Sequence, residues 1–134
     1  MEIQISQEIP HASLFSHSKD YILAVLAGEK EPVGHIAIGE GTITATKLGE
    51  EVGRRAIYEV LGAPTGSIER TFRAYFEPTY PTKDVSITEI ALYGDSTSTL
   101  GSGTAIAAVS VSPPILKRVN VDSLWVNYKL YYST

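Results

Sequence analysis

Hydrophobic and polar residues alternate along much of this chain with the two-residue period of strands that bury one side. The pattern is clearest from Leu124 to Tyr132, where Leu124, Val126, Tyr128, Leu130 and Tyr132 share one side and Trp125, Asn127, Lys129 and Tyr131 the other. Ser67 to Glu77 repeats it, with Ile68, Phe72, Ala74, Phe76 and Arg70 opposite Glu69, Thr71, Arg73, Tyr75 and Glu77. Between Asp84 and Tyr93 the phase changes, because Val85 and Ile87 are followed by Ile90 and Leu92. One extra residue at Thr88 or Glu89, a bulge, keeps all four toward a core. The alternative is a strand covered on both sides, for which Ala91 and Tyr93 are suited. Ala105 to Val111 carries small or branched residues on both sides and reads as a central strand.

The earlier third is less regular. Glu2 to Ile9 alternates Ile3 and Ile5 with polar neighbours before Pro10, which suits a sheet edge or an arm reaching a neighbouring subunit. Tyr21 to Ala27 is a short apolar run between Asp20 and Gly28 and predicts a strand, with a helical turn as the alternative. His35 to Ile38 predicts another strand, stopped by Gly39 and Gly41. Leu48, Val52 and Ala56 have helical spacing, but Gly49 and Gly53 each cost about 1 kcal/mol in a helix interior. A short helical turn followed by a strand from Arg54 to Leu61 fits Thr46 to Leu61 better.

Turn residues punctuate the rest. Gly62 to Gly66 reads as a hairpin connection, Tyr80 to Lys83 and Gly94 to Gly103 as loops, the second polar and locally low in complexity, which permits mobility, and Pro113-Pro114 as the end of a strand. These elements predict an all-β protein, a compact antiparallel β-barrel or β-sandwich. Residues 1–15 form an extended N-terminal arm or edge strand, and residues 16–134 the structural domain.

With 134 residues and 14.5 kDa, the chain suits one domain. A folded monomer of that mass exposes roughly 7,000 Å². The net charge of −4 comes from 15 acidic and 11 basic residues with no long run of either sign, so no nucleic-acid partner is expected. There is no cysteine, which excludes disulfides and cysteine chemistry. No apolar stretch is long enough to span a membrane and the first residues lack a signal-peptide pattern, so a soluble chain made in a cytoplasm is expected. Asparagine, glutamine and methionine are scarce, a tendency of proteins from hot environments.

Candidate chemistry is thin. Gly39-Glu40-Gly41 follows an apolar segment as phosphate-cradling loops do, but it lacks the later glycine of a dinucleotide fingerprint and the Gly-Lys-Ser/Thr end of a phosphate loop. A turn is the simpler reading. His11, His17 and His35 have no metal-site spacing. Glu50, Glu51, Arg54 and Arg55 read as a charged connector, with a Glu51–Arg55 contact if helical. No catalytic residue, cofactor or metal is expected. Arg70 lies in phase with a buried side and must snorkel, pair within the chain or meet an acid across an interface; Glu89 is a second buried-charge candidate if no bulge occurs. The many tyrosines with Trp125 could stack on sugars or bases, but aromatics on alternating strands more often pack across strands. Trp125 and Tyr131, opposite Leu124 and Leu130, are candidates for subunit contact.

The ordered segments HIAIGEGTITATKLGEEVGRRAI, IERTFRAYF, VSITEIALYG, AIAAVSV and LWVNYKLYY resemble a group of bacteriophage virion structural proteins, over about Gly34 to the C-terminus. Tail-associated members carry a glycine-rich segment, an acidic-arginine element, a hydrophobic strand and a "TEIGLY"-like strand, which correspond here to Ile38–Gly41, Glu51–Arg54, Thr71–Phe76 and Thr88–Tyr93. The independent chain and its EIQISQEIPHASLF start also resemble a thermophilic phage capsid decoration protein of the kind that forms trimers. That resemblance implies a homotrimer bound to the major capsid protein on the virion exterior, reinforcing the shell, with no cofactor, nucleic acid or membrane partner. A tail, baseplate or tail-fibre component is the alternative. Ile3, Ile5 and Ile9 would then bridge subunits, with Arg70, Trp125 and Tyr131 as further interface candidates.

Overall fold

A computed structural model describes residues 1–9, 15, 17–62 and 69–132. Eight strands and one helix follow in the order β1 (Glu2–Ile9), α1 (Ser18–Leu26), β2 (Val33–Gly39), β3 (Glu51–Ala56), β4 (Glu59–Gly62), β5 (Glu69–Phe76), β6 (Val85–Gly94), β7 (Thr104–Lys117) and β8 (Leu124–Tyr132). They build two four-stranded sheets, ordered β1-β8-β5-β4 and β3-β2-β6-β7. The result is the expected all-β sandwich, with an accessible surface of 7132 Å². Every strand pair is antiparallel except β1–β8, which is parallel with Glu2 beside Trp125 and Ile9 beside Tyr132.

The core lies between the sheets, where Val126, Tyr128, Ala74 and Phe76 of the first meet Ile36, Ile38, Ile90 and Leu92 of the second. Tyr128 is fully buried and donates to Gln7 Oε1, while Gln7 Nε2 donates to the Ala108 carbonyl at 2.9 Å. Burial raises the Tyr128 pKa. This chain of bonds runs from β1 to β7 and ties one sheet to the other through the interior. A second apolar cluster covers the outer side of the second sheet, where Ala37, Ala91 and Ala108 are small enough to admit Phe15, Leu48 and Tyr93.

The irregularity demanded by β6 is present. Its register with β7 jumps from Ile87↔Ile115 to Glu89↔Ser110, and Val85, Ile87, Ile90 and Leu92 all reach the same core. The surplus residues of that break, Val111 to Pro114, lie on β7 rather than at Thr88 or Glu89; Ala91 and Tyr93 are buried on the other side, so β6 is also covered twice.

Several expectations are corrected. Tyr21–Leu26 belongs to a helix that Ala27 caps, because Ser18, Tyr21 and Ala24 recur at three-residue spacing as its buried side. Gly28, at φ 75°, adopts the left-handed conformation that ends it and donates to the Val25 carbonyl. No helical turn precedes the strand near Arg54. Residues Glu51–Ala56 are already strand β3, and the Arg54–Leu61 segment is split between the two sheets. Strand β7 is an edge strand rather than a central one, and it continues through Pro113-Pro114 because those prolines fall in the β6–β7 register break. Glu2–Ile9 is an edge strand, and its Ile5 packs in the core rather than in an arm extended away from the domain. The connector at residues 63–66 lies outside the described residues, but β4 and β5 pair as a hairpin requires.

Candidate interaction surface

Glu89 has no solvent exposure, although the β6–β7 register breaks beside it. Its carboxylate accepts from the backbone N–H groups of Gly41 (2.9 Å), Gly49 (2.7 Å) and Glu50 (2.8 Å). The glycine segment therefore does form an anion cradle, and the anion is the chain's own side chain. Gly39 is required for this approach, since a Cβ there would lie 2.3 Å from Glu89 Oε2 and 2.7 Å from the Glu50 carbonyl oxygen. With the cradle filled, the turn reading of Gly39-Glu40-Gly41 stands and a phosphate has no place beside these amides.

Arg54, 2% exposed, is the second buried charge. Its Nε and Nη2 pair with Glu51 at 2.6 and 2.7 Å, and its Nη1 donates to the Thr97 carbonyl, the Ser102 carbonyl and Ser102 Oγ. Gly101 N–H also donates to Glu51. This ion pair fastens the polar 95–103 loop to β3, so low complexity does not leave that loop without anchors. The sequence pattern suggested Glu51–Arg55 instead. A register shift between β2 and β3 leaves Val52 without a ladder partner, and that extra residue puts Glu51 and Arg54 on one side of the strand. Arg55 pairs with Glu77 at 2.6 Å and lies over the Tyr80 ring. Lys117, the third buried charge, donates to the Glu77 and Tyr80 carbonyls at 2.9 and 2.7 Å. Burial lowers its pKa.

The outer side of the first sheet is different. Trp125 contacts Tyr58 edge-on with ring centres 5.3 Å apart and Tyr75 at 4.8 Å, while the Arg73 guanidinium lies 4.4 Å from its ring centre. Arg73 also pairs with Glu59 and donates to Asn127 Oδ1 at 2.7 Å; Asn127 in turn donates to Glu2. Lys129 completes the face with an ion pair to Glu69 and an approach to the Tyr131 ring. Each row runs across directly opposed residues, such as Gln4–Asn127–Arg73–Glu59. The face is ordered by its own cross-strand contacts.

At the free edge of that sheet the character changes again. An open apolar groove of about 360 Å³ runs between α1 and β4–β5, lined by Tyr21, Ile22, Val25, Leu26, Val60 and Phe72 among others. Leu26 is 79% exposed, and Leu23, Tyr58, Val60 and Leu61 are exposed as well. The Tyr21 hydroxyl is satisfied by the Glu31 carbonyl at 2.5 Å, and burial pushes its pKa up to about 12. No sequence signal marks this groove, because the short apolar run Tyr21–Ala27 reads as a strand and gives its outward leucines no helical side.

Of the residues expected at an interface, Ile5 is buried, while Ile3 and Ile9 are half-buried. Arg70 is exposed at the β4–β5 edge and donates to the Glu69 carbonyl at 2.7 Å. Trp125 and Tyr131 share the outer face described above. The structure does not gather the six into one patch. His17 stacks on Phe15 and meets the Ala105 carbonyl, whereas His35 meets Ser96 Oγ; His11 lies outside the described residues. Among the described residues no group of His, Asp and Glu is placed to hold a metal, and no helix is long and apolar enough to cross a membrane. Compared with protein-family models, curated proteins and solved structures, the chain matches none.

Proposed function

We propose that this chain is a virion structural protein that decorates the outside of a major capsid shell and stabilises it by adhesion. The observation carrying this reading is the exposed apolar groove with its flanking leucines beside the open edge of β4. Contiguous apolar surface of this kind marks contact with another macromolecule, and an unpaired strand edge adds main-chain donors and acceptors to it. The segments that resemble phage structural proteins support a capsid shell as that partner. Repetition over a symmetric shell multiplies individually weak contacts, so a modest groove on each copy is enough.

Co-sedimentation with separately purified heads and tails tests the proposal. Saturable binding to heads at a fixed ratio, with a raised temperature of head disruption, supports it. Binding to tails alone makes the chain a tail component, and binding to neither removes the virion reading.

A further inference from the structure

Eight of the eleven lysines and arginines have an acceptor. Arg54, Arg55, Arg73, Lys83, Arg118 and Lys129 pair with carboxylates. Lys117 and Arg70 donate to backbone carbonyls. Among the described residues, only Lys19, Lys30 and Lys47 have neither an ion pair nor a side-chain hydrogen bond. Two of these three line one pocket.

That pocket, of about 350 Å³, is bounded by Lys30, Lys47, His17, Thr46, Thr104 and the Gly101–Gly103 turn, with Tyr93 at its wall. Among the described residues no carboxylate lines it, although the chain carries 15 acidic residues against 11 basic ones. Its walls are held by the contacts already described. Arg54 and Glu51 anchor the Gly101–Ser102 turn, the Tyr93 hydroxyl accepts from Leu48 N–H at 3.4 Å, and His17 is fixed by Phe15 and the Ala105 carbonyl. The carbonyl can only accept, so His17 Nε2 carries a proton.

We infer that this pocket binds a small anionic ligand through a phosphate or carboxylate group. Two ammonium groups with no internal acceptor offer charge-assisted hydrogen bonds, and the threonine hydroxyls add neutral donors. The volume exceeds that of a bare oxyanion and falls at the small end of ligand pockets, so the anionic group is carried on a compact polar body. The site shares no lining residue with the apolar groove, although the two adjoin along α1, where His17 and Tyr21 are one turn apart.

Isothermal titration of the full chain with inorganic phosphate and, separately, with glutarate at low ionic strength tests the inference. Saturable one-to-one binding of either probe is expected, and which one binds distinguishes a phosphate from a carboxylate ligand. The Lys30→Ala/Lys47→Ala double variant should lose at least tenfold in affinity while keeping its melting temperature, because neither lysine bonds within the fold. Lys19→Ala should bind as the parent does. Absence of saturable binding for both probes, or a double variant within twofold of the parent, overturns it. Neither outcome bears on capsid attachment through the groove.

Discussion

The loop-covered side of the second sheet and the helix-flanked edge of the first handle their difficult side chains in opposite ways. On the first, Arg54 and Glu89 are charges taken out of water and given an acceptor or donor at nearly every position they can use. On the second, Leu23, Leu26, Val60 and Leu61 stay exposed among the described residues. A buried charge tolerates no loss of a partner, so the loop side is a fixed scaffold. An exposed apolar side chain gives up little when it is changed, so the edge can be altered without unfolding the protein.

That contrast is broken first at Arg54. Arg54→Ala leaves the Glu51 carboxylate buried and unpaired, and should cost about 3–5 kcal/mol in urea denaturation. Hydrogen exchange at Gly101 should accelerate more than at Val126. Glu89→Gln is the next largest change, since a neutral amide keeps one acceptor oxygen for three backbone donors; a loss of about 2–3 kcal/mol is expected by the same measurement.

Acid should produce a smaller effect. Burial, and then the nearby Arg54 charge, lower the His35 pKa below its ordinary value of 6.5. The unfolded chain therefore binds this proton more readily than the native one. His35's contribution is complete above about pH 6.5 and is lost as pH falls from there toward the lowered native value. His35→Gln should flatten that part of a stability–pH profile, and an unchanged slope would assign it to other groups.

The smallest effect on stability is expected at the edge. Leu26→Glu with Val60→Glu should move the unfolding free energy by no more than about 0.5 kcal/mol for each exposed site, while head binding falls at least tenfold. Loss of folding would show that the groove belongs to the scaffold, and unchanged binding would move the attachment surface elsewhere.

Much of the sandwich was legible because period two is unambiguous when one side is buried. Leu124–Tyr132 matches β8 residue for residue, and the phase break at Thr88–Glu89 is where β6 changes register. What failed did so for local physical reasons. A nine-residue helix buries only Ser18, Tyr21 and Ala24, too few positions to separate its period from that of a short strand. The Glu51–Arg54 pair depends on a single extra residue in β3, and the Glu89 cradle on three amides distant in sequence. The meeting of Lys30, Lys47 and His17 is likewise a product of tertiary folding, with no spacing rule to announce it.

The parallel pairing of β1 with β8 joins the second residue of the chain to the one hundred and twenty-fifth. During synthesis, Glu2–Ile9 leaves the ribosome long before its hydrogen-bonding partner exists, and Ile5 has no neighbouring Tyr128 to cover it. Such distant pairing slows folding, so completion of the first sheet waits for the last strand to emerge. A nascent chain stalled before Leu124 would keep that N-terminal strand accessible to protease, and release of β8 should close it.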